Sequence, residues 1–322
     1  MIHLFEAQPC EKRALLLRTR LNKALISSLI HLLEAAEEVL SAEVYQLSMR
    51  NLNSLNSEKK ISGFLHALNA ALSQAFTHED IPTIKKIAQH ISENDFQVEG
   101  INFLWVNTLP PYFSELFQEA SNFEIPGGLT FTPSSLEGHQ RIKSLFQQGL
   151  NLISQSCEDL YKEISVFLGE ILTFNTSRTT RYGSSFNLLG LIYISESSPF
   201  ESLADVVDAF AHETGHLYLH SLSAEDPLVL NSPEERYPAP FREDKRPLIG
   251  IYHASFVGSR ILYALRALYR SKLLPENEQI RCATLIEYYQ VKYTSSLETV
   301  QKHGKMTTLG QNILNSSLKL AS

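Results

Sequence analysis

The sequence predicts an α+β fold that is predominantly helical: a helix bundle with a small β-sheet at its centre. Two observations carry that expectation. Apolar residues recur at helical spacing over most of the 322 residues. Runs rich in β-branched and aromatic residues are confined to the middle of the chain. In the first 50 residues, Leu15, Leu16, Leu21, Leu25, Leu29 and Leu32 recur near helical spacing among charged residues, so 11–50 reads as helical. Residues 60–75 and 80–93 give two more amphipathic helices. The run Ile101 to Val106 reads as a short buried strand, Leu109 to Tyr112 as a turn before a short helix, and Ile125-Pro-Gly-Gly128 as a break. A long helix is expected over 135–162. Strands follow over 164–174 and 186–194, then helices over 199–221, 251–273, 278–302 and 308–320. Gly and Pro cluster between 94 and 130. The expected division is therefore an N-terminal helical region, 1–130, and a second domain, 131–322.

Composition narrows the function classes. Hydrophobic residues make up 43% and charged residues 20%, enough to build a real core. With 28 basic and 35 acidic residues the net charge is −7, and there is no basic run. Neither nucleic acid nor an anionic membrane is an expected partner. Cys10, Cys157 and Cys282 are far apart, odd in number and without metal-type spacing, as in a reducing compartment. The opening Met1 to Glu6 lacks a basic region followed by a small-residue cleavage site, and no charge-free run of 18 apolar residues occurs. A cytoplasmic protein without a membrane span is expected.

Ser198-Pro-Phe-Glu201 is a helix-start signal: a capping serine, proline at the first position and glutamate to close a capping box. The helix it opens carries His212-Glu213-Thr214-Gly215-His216, an HExxH. Residues four apart differ by about 40° and stand one turn apart, so two imidazoles there can meet one metal ion. A surface helix with a solvated polar face would show the same pattern. Glu213 points about 100° away from His212; in zinc peptidases this glutamate is the general base. Leu219 and Leu222 stand where the metzincin extension has Gly and His, which excludes that subclass. His220 lies one turn beyond His216, but three successive turns of a straight helix cannot converge on one ion, so it is expected outside the ligand set. His253, 37 residues after His216 at the start of a later helix, is the better third ligand. Arg260 lies seven residues on, on the same helix face and about 10 Å away. That spacing suits a small dicarboxylate with one end on the metal and the other in the guanidinium fork. The bundle is thus expected to be built around a metal site.

The run Gly190-Leu-Ile-Tyr-Ile194, the HExxH helix and Pro240-Phe-Arg242-x-Asp244-x-Arg246-Pro-x-x-Gly250-x-x-His253 together resemble the HExxH peptide-modification family. These are 2-oxoglutarate-dependent peptide β-hydroxylases of ribosomal peptide natural product (RiPP) maturation. The tail from His303 to Gly310 is similar to that family's Leu-Thr-x-x-Gly element, with Met306 at the Leu position. The resemblance spans about 185–318 and leaves the N-terminal region unmatched. It implies a non-haem Fe(II) dioxygenase, an oxidoreductase with His212, His216 and His253 as metal ligands and 2-oxoglutarate and O2 as cosubstrates. The distal carboxylate of 2-oxoglutarate would pair with Arg260, Arg242 or Arg246. Asp205, Asp208 and Asp244 would support the ligands from behind, with Asp244 and Glu243 as alternative carboxylate ligands. Glu213 would orient a ligand or the peptide. The substrate would be a precursor peptide hydroxylated at a side-chain β-carbon, together with a partner maturation enzyme. The N-terminal region would serve as scaffold or as the peptide's docking site. On ligand chemistry alone, three imidazoles suit zinc equally. A zinc metallopeptidase using Glu213 as base, and a non-catalytic protein that binds a peptide or maturation enzyme, are the alternatives.

Overall fold

The computed structural model describes residues 5–122, 130–177, 182–240 and 244–322. Among them are eleven α-helices, a four-stranded mixed sheet and a two-stranded sheet, the mostly helical α+β class expected. The chain divides into two compact units assembled from interleaved segments: residues 1–14, 140–165 and 198–322 in one, 15–139 and 166–197 in the other. The Gly and Pro cluster pointed instead to a single boundary near 130.

In the second unit, α1 (Glu11–Ala35, from residue 15 on) and α2 (Ala42–Ser54) are separated by a 3-10 turn where one helical stretch was expected. After the short β1 (Lys60–Ile61) come α3 (Gly63–Thr77) and α4 (Ile81–Glu93), each opened by a side-chain cap. Ser62 accepts from the Phe64 amide and Asp80 from the Thr83 amide. Then β2 (Gln97–Val98) pairs antiparallel with β1, β3 (Asn102–Trp105) follows, and α5 (Pro111–Asn122) ends the first half. The four-stranded sheet has the order β3-β4-β6-β5, with β4 (Glu170–Phe174), β5 (Tyr182–Ser184) and β6 (Leu191–Ser195). β3, β4 and β6 run parallel and β5 is an antiparallel edge. Every residue of β4 and β6 is buried, as parallel strands covered on both faces must be. Leu172, Phe174, Leu191 and Tyr193 join the core formed with α3, α4 and α5.

Two local readings need correction. The run from Ile164 continues as helix α7 (Glu158–Phe167) before β4 begins at Glu170, because tertiary packing overrides β propensity. The stretch from Phe186 opens with a 3-10 turn. Gly190 then takes φ +93, a left-handed conformation that glycine adopts without strain, and its carbonyl accepts from the Gly169 and Glu170 amides at 2.9 and 3.1 Å.

The first unit holds α6 (Leu136–Ser156) from residue 140, most of α7, and the last four helices: α8 (Leu203–Ser223), α9 (Leu248–Ser271), α10 (Glu276–His303) and α11 (Thr308–Ala321). The helix expected over 135–162 is thus broken at Cys157 into α6 and α7. α8 and α9 pack directly: a Cβ on Gly215 would lie 3.2 Å from Val257 Cγ2, so the glycine inside HExxH permits the close approach. α9 is long and apolar enough to cross a membrane by length and composition, and 72% of its most apolar window is buried.

Candidate metal centre

α8 starts one turn later than the sequence signal at Ser198. Ser202 accepts from the Asp205 amide, and Asp205 reaches back to the Ser202 amide at 2.9 Å, a reciprocal capping box. Arg281 grips Asp205 through Nε and Nη2 at 3.1 and 2.8 Å, and Glu278 accepts from the Leu203 amide at 2.7 Å. These α10 contacts select the later start. Asp205 is therefore a capping and ion-pairing residue. Asp208, one turn on, accepts from the Tyr289 hydroxyl at 2.8 Å.

From Ala204 to Leu222 every side of α8 is buried except one line, the half-exposed His212, His216 and His220. His253, in the second turn of α9, comes up against that line, with its Nδ1 3.4 Å from Nδ1 of His216. The ligand atoms of His216, His220 and His253 all lie within 4.8 Å of one another. Their ring centroids close a triangle of 6.0, 5.6 and 5.3 Å. His212 extends the row, 5.1 Å from His216. The structure thus brings together His216 and His253, as expected, and draws His220 into their group, where it was not expected.

Burial keeps the four imidazoles neutral. It lowers His212 and His220 to about 4 and His253 to about 3, the last with help from His220. His216 falls well below the usual histidine range through burial and then through His212, His253 and His220. Neutral imidazole is the form that donates to a metal, so the donor set fits a divalent ion such as zinc or iron. Three nitrogens gathered this closely could hold one ion, with about 2.1 Å to each.

The C-terminal turn from Thr307 to Gly310 is fixed against the turn of α9 that carries His253. Thr307 caps α11, its Oγ1 accepting from the Gly310 amide at 3.0 Å and donating to Asp226 at 2.7 Å. A Cβ on Gly310 would fall 2.1 Å from the Leu228 carbonyl oxygen, so glycine is required. The Gly310 carbonyl accepts from the Tyr252 hydroxyl at 2.9 Å, which fixes the turn of α9 that carries His253.

Beside the histidines lies a cavity of about 270 Å³. His212, His216, Arg246 and Tyr289 supply its polar lining, and Ala239, Ile251, Val257 and Ile261 much of its apolar wall. The backbone of Arg246 is held by two 2.9 Å hydrogen bonds exchanged with Tyr237. Its Nε pairs with the exposed Asp244 at 2.8 Å. Glu213 is buried, with Oε1 3.9 Å from Nε2 of His212. Arg242 and Glu243 lie outside the described residues.

Arg260 occupies a different environment. It is fully buried, its Nη2 donates to Glu163, and its Nη1 donates to the Ala7 carbonyl at 2.9 Å. Glu163 also accepts from the Cys10 amide at 3.0 Å. Burial pushes the Glu163 carboxyl up and Arg260 pulls it back. This pair ties the N-terminal segment, α7 and α9 together, and it commits the fork that spacing had assigned to a dicarboxylate. Nothing in the sequence pattern pointed to Glu163 as its partner, whereas the signal for His220 was present: it repeats the four-residue step from His212 to His216.

No protein-family model matches the chain, and no curated protein matches it.

Proposed function

We propose that this protein is a metal-dependent oxygenase that modifies a peptide, with a non-haem Fe(II) held by imidazoles of α8 and α9 and 2-oxoglutarate as cosubstrate. The observation that carries the reading is the return of His253 to within 3.4 Å of His216 on the accessible line of an otherwise buried helix. The resemblance of the HExxH, Arg/Pro/Gly/His and tail elements to the peptide β-hydroxylases supplies the choice of iron and reaction. Bound there, Fe(II) would couple dioxygen reduction to oxidative decarboxylation of 2-oxoglutarate and hydroxylation of a side-chain carbon.

The chain's own residues have defined tasks in this reading. Arg246 offers a guanidinium to a cosubstrate carboxylate in the cavity, in competition with Asp244. Of the two described arginines the resemblance offered, it supports this task better, since Arg260 is committed to Glu163. Ile251, Val257 and Ile261 line the cavity and keep water from the reacting groups. Tyr289, whose hydroxyl is held by Asp208, is a fixed part of the cavity lining. The carboxylate of Glu213, beside His212, orients that ring. The peptide, its modified residue, a partner maturation enzyme and a cytoplasmic setting belong to the same proposal.

The test is anaerobic loading with Fe(II), then 2-oxoglutarate and air with a candidate precursor peptide. Succinate formation and a peptide gain of one oxygen are expected. Retention of zinc, with peptide cleavage abolished by Glu213→Gln and no succinate, would assign the metallopeptidase. Peptide binding without metal uptake would assign the non-catalytic binder.

A further inference from the structure

Two triads can be built around the shared pair His216 and His253, one closed by His212 and one by His220. We propose that the ion is held by His216, His220 and His253, and that His212 faces the cavity as a substrate-contacting side chain. The inference rests on reading the cluster as a metal site and adds which imidazole does what.

The closed group is the first argument. Each of His216, His220 and His253 is a ring neighbour of the other two, at 5.3 to 6.0 Å. Their ligand atoms fall within one 4.8 Å set. His212 adjoins this set through His216. Helix geometry is the second. Three successive turns fan through about 80°, so an ion takes two neighbouring turns and the third diverges. The two possible pairs have identical spacing along α8, and the position of His253, against both His216 and His220, selects the later one.

The cavity is the third argument, and it is independent of the other two. Its imidazoles are His212 and His216. His216 therefore belongs both to the ion's group and to the cavity wall, while His212 lines the cavity without belonging to that group. Arg246 also lines the cavity, and Ile251, Ala254 and Val257 supply much of its apolar wall. That combination suits a ligand with one carboxylate on Arg246, a short apolar body, and a hydrogen-bonding group within reach of His212. Gly250 also lines the cavity, and a side chain there would meet open space, so its absence leaves room for the ligand.

The experiment uses the full-length protein stripped by chelator. Zn(II) is titrated calorimetrically and Co(II) by visible absorption, with circular dichroism as the check on folding. The parent protein should bind one equivalent of either ion. His220→Ala should weaken both by at least ~100-fold, and His212→Ala by less than ~10-fold, with a cobalt spectrum like the parent's. In the zinc-loaded protein, His212→Ala should weaken 2-oxoglutarate binding by about 10-fold. His212→Gln and His220→Gln repeat the comparison should either alanine variant fail to fold. Loss of the ion in the His212 variants with retention in the His220 variants overturns the assignment and leaves the metal site standing. Equal loss in both sets also overturns it. A parent protein that binds neither ion removes the metal site itself.

Discussion

Helix α9 carries two polar side chains seven residues apart, and they work in opposite regimes. His253 meets the half-exposed histidine line of α8 beside a cavity. Arg260, two turns on, is sealed against Glu163, the Ala7 carbonyl and the stacked rings of Tyr218 and Phe256. One is a set of neutral donors left accessible; the other is an ion pair with no access to solvent. The difference teaches that helical spacing places two residues on one face without saying what meets that face at each level. A site needs polar groups that remain reachable, and the Arg260 pair fails that requirement while the histidines meet it.

The comparison breaks most visibly at the ion pair. Removing one partner leaves a buried charge unpaired, so Glu163→Ala or Arg260→Ala should cost about 3–5 kcal/mol in denaturant unfolding. The double variant Glu163→Met/Arg260→Met should recover most of that, because the apolar pair removes the uncompensated charge. If Arg260→Ala left stability unchanged and instead raised the 2-oxoglutarate requirement, the clamp would return to Arg260.

Acid should act on the histidine region. Folded His212 and His220 titrate near 4 and His253 near 3, against about 6.5 in an unfolded chain. Above pH 6.5 both states are neutral and nothing is gained or lost. Between 6.5 and about 4 the unfolded chain takes up protons that the folded protein refuses, so stability should fall with pH over that window. Urea midpoints from pH 7 to 4 should show the slope in the metal-free protein. His253→Ala should reduce it, and Glu163→Met/Arg260→Met should retain it.

Gly310→Ala should cost about 1–3 kcal/mol, since the new Cβ meets the Leu228 carbonyl and the backbone must shift. Because Gly310 also holds Tyr252, Zn(II) affinity should drop with it, which calorimetry reads directly. Smallest in stability is Arg246→Ala, within about 0.5 kcal/mol for a surface pair. It should nonetheless raise the 2-oxoglutarate concentration needed for half-maximal succinate formation by about 10-fold. An unchanged requirement would remove Arg246 from the cavity's task.

Much of this was legible in the residues. The apolar periodicity located most of the helices, and the β-branched runs located β3 closely and the ends of β4 and β6, whose starts lie six and five residues later than the runs begin. Less legible were places where two solutions fit the same local pattern. Ser198-x-x-Glu201 and Ser202-x-x-Asp205 are both capping signals, and the contacts of Leu203 with Glu278 and of Asp205 with Arg281 decided between them. Ile164 to Phe167 suits a strand, yet the segment completes α7. β5 is three residues long, too short for alternation to register.

The sequence by itself determined that one helix bears imidazoles on a single line, because a step of four residues fixes their angle about the axis. It also placed a further histidine beyond a loop long enough to return. Which of those imidazoles the returning one would meet, and that Arg260 would close on Glu163, only the tertiary structure decided. Those outcomes depend on how separate helices pack side by side, and no spacing along a single helix encodes that.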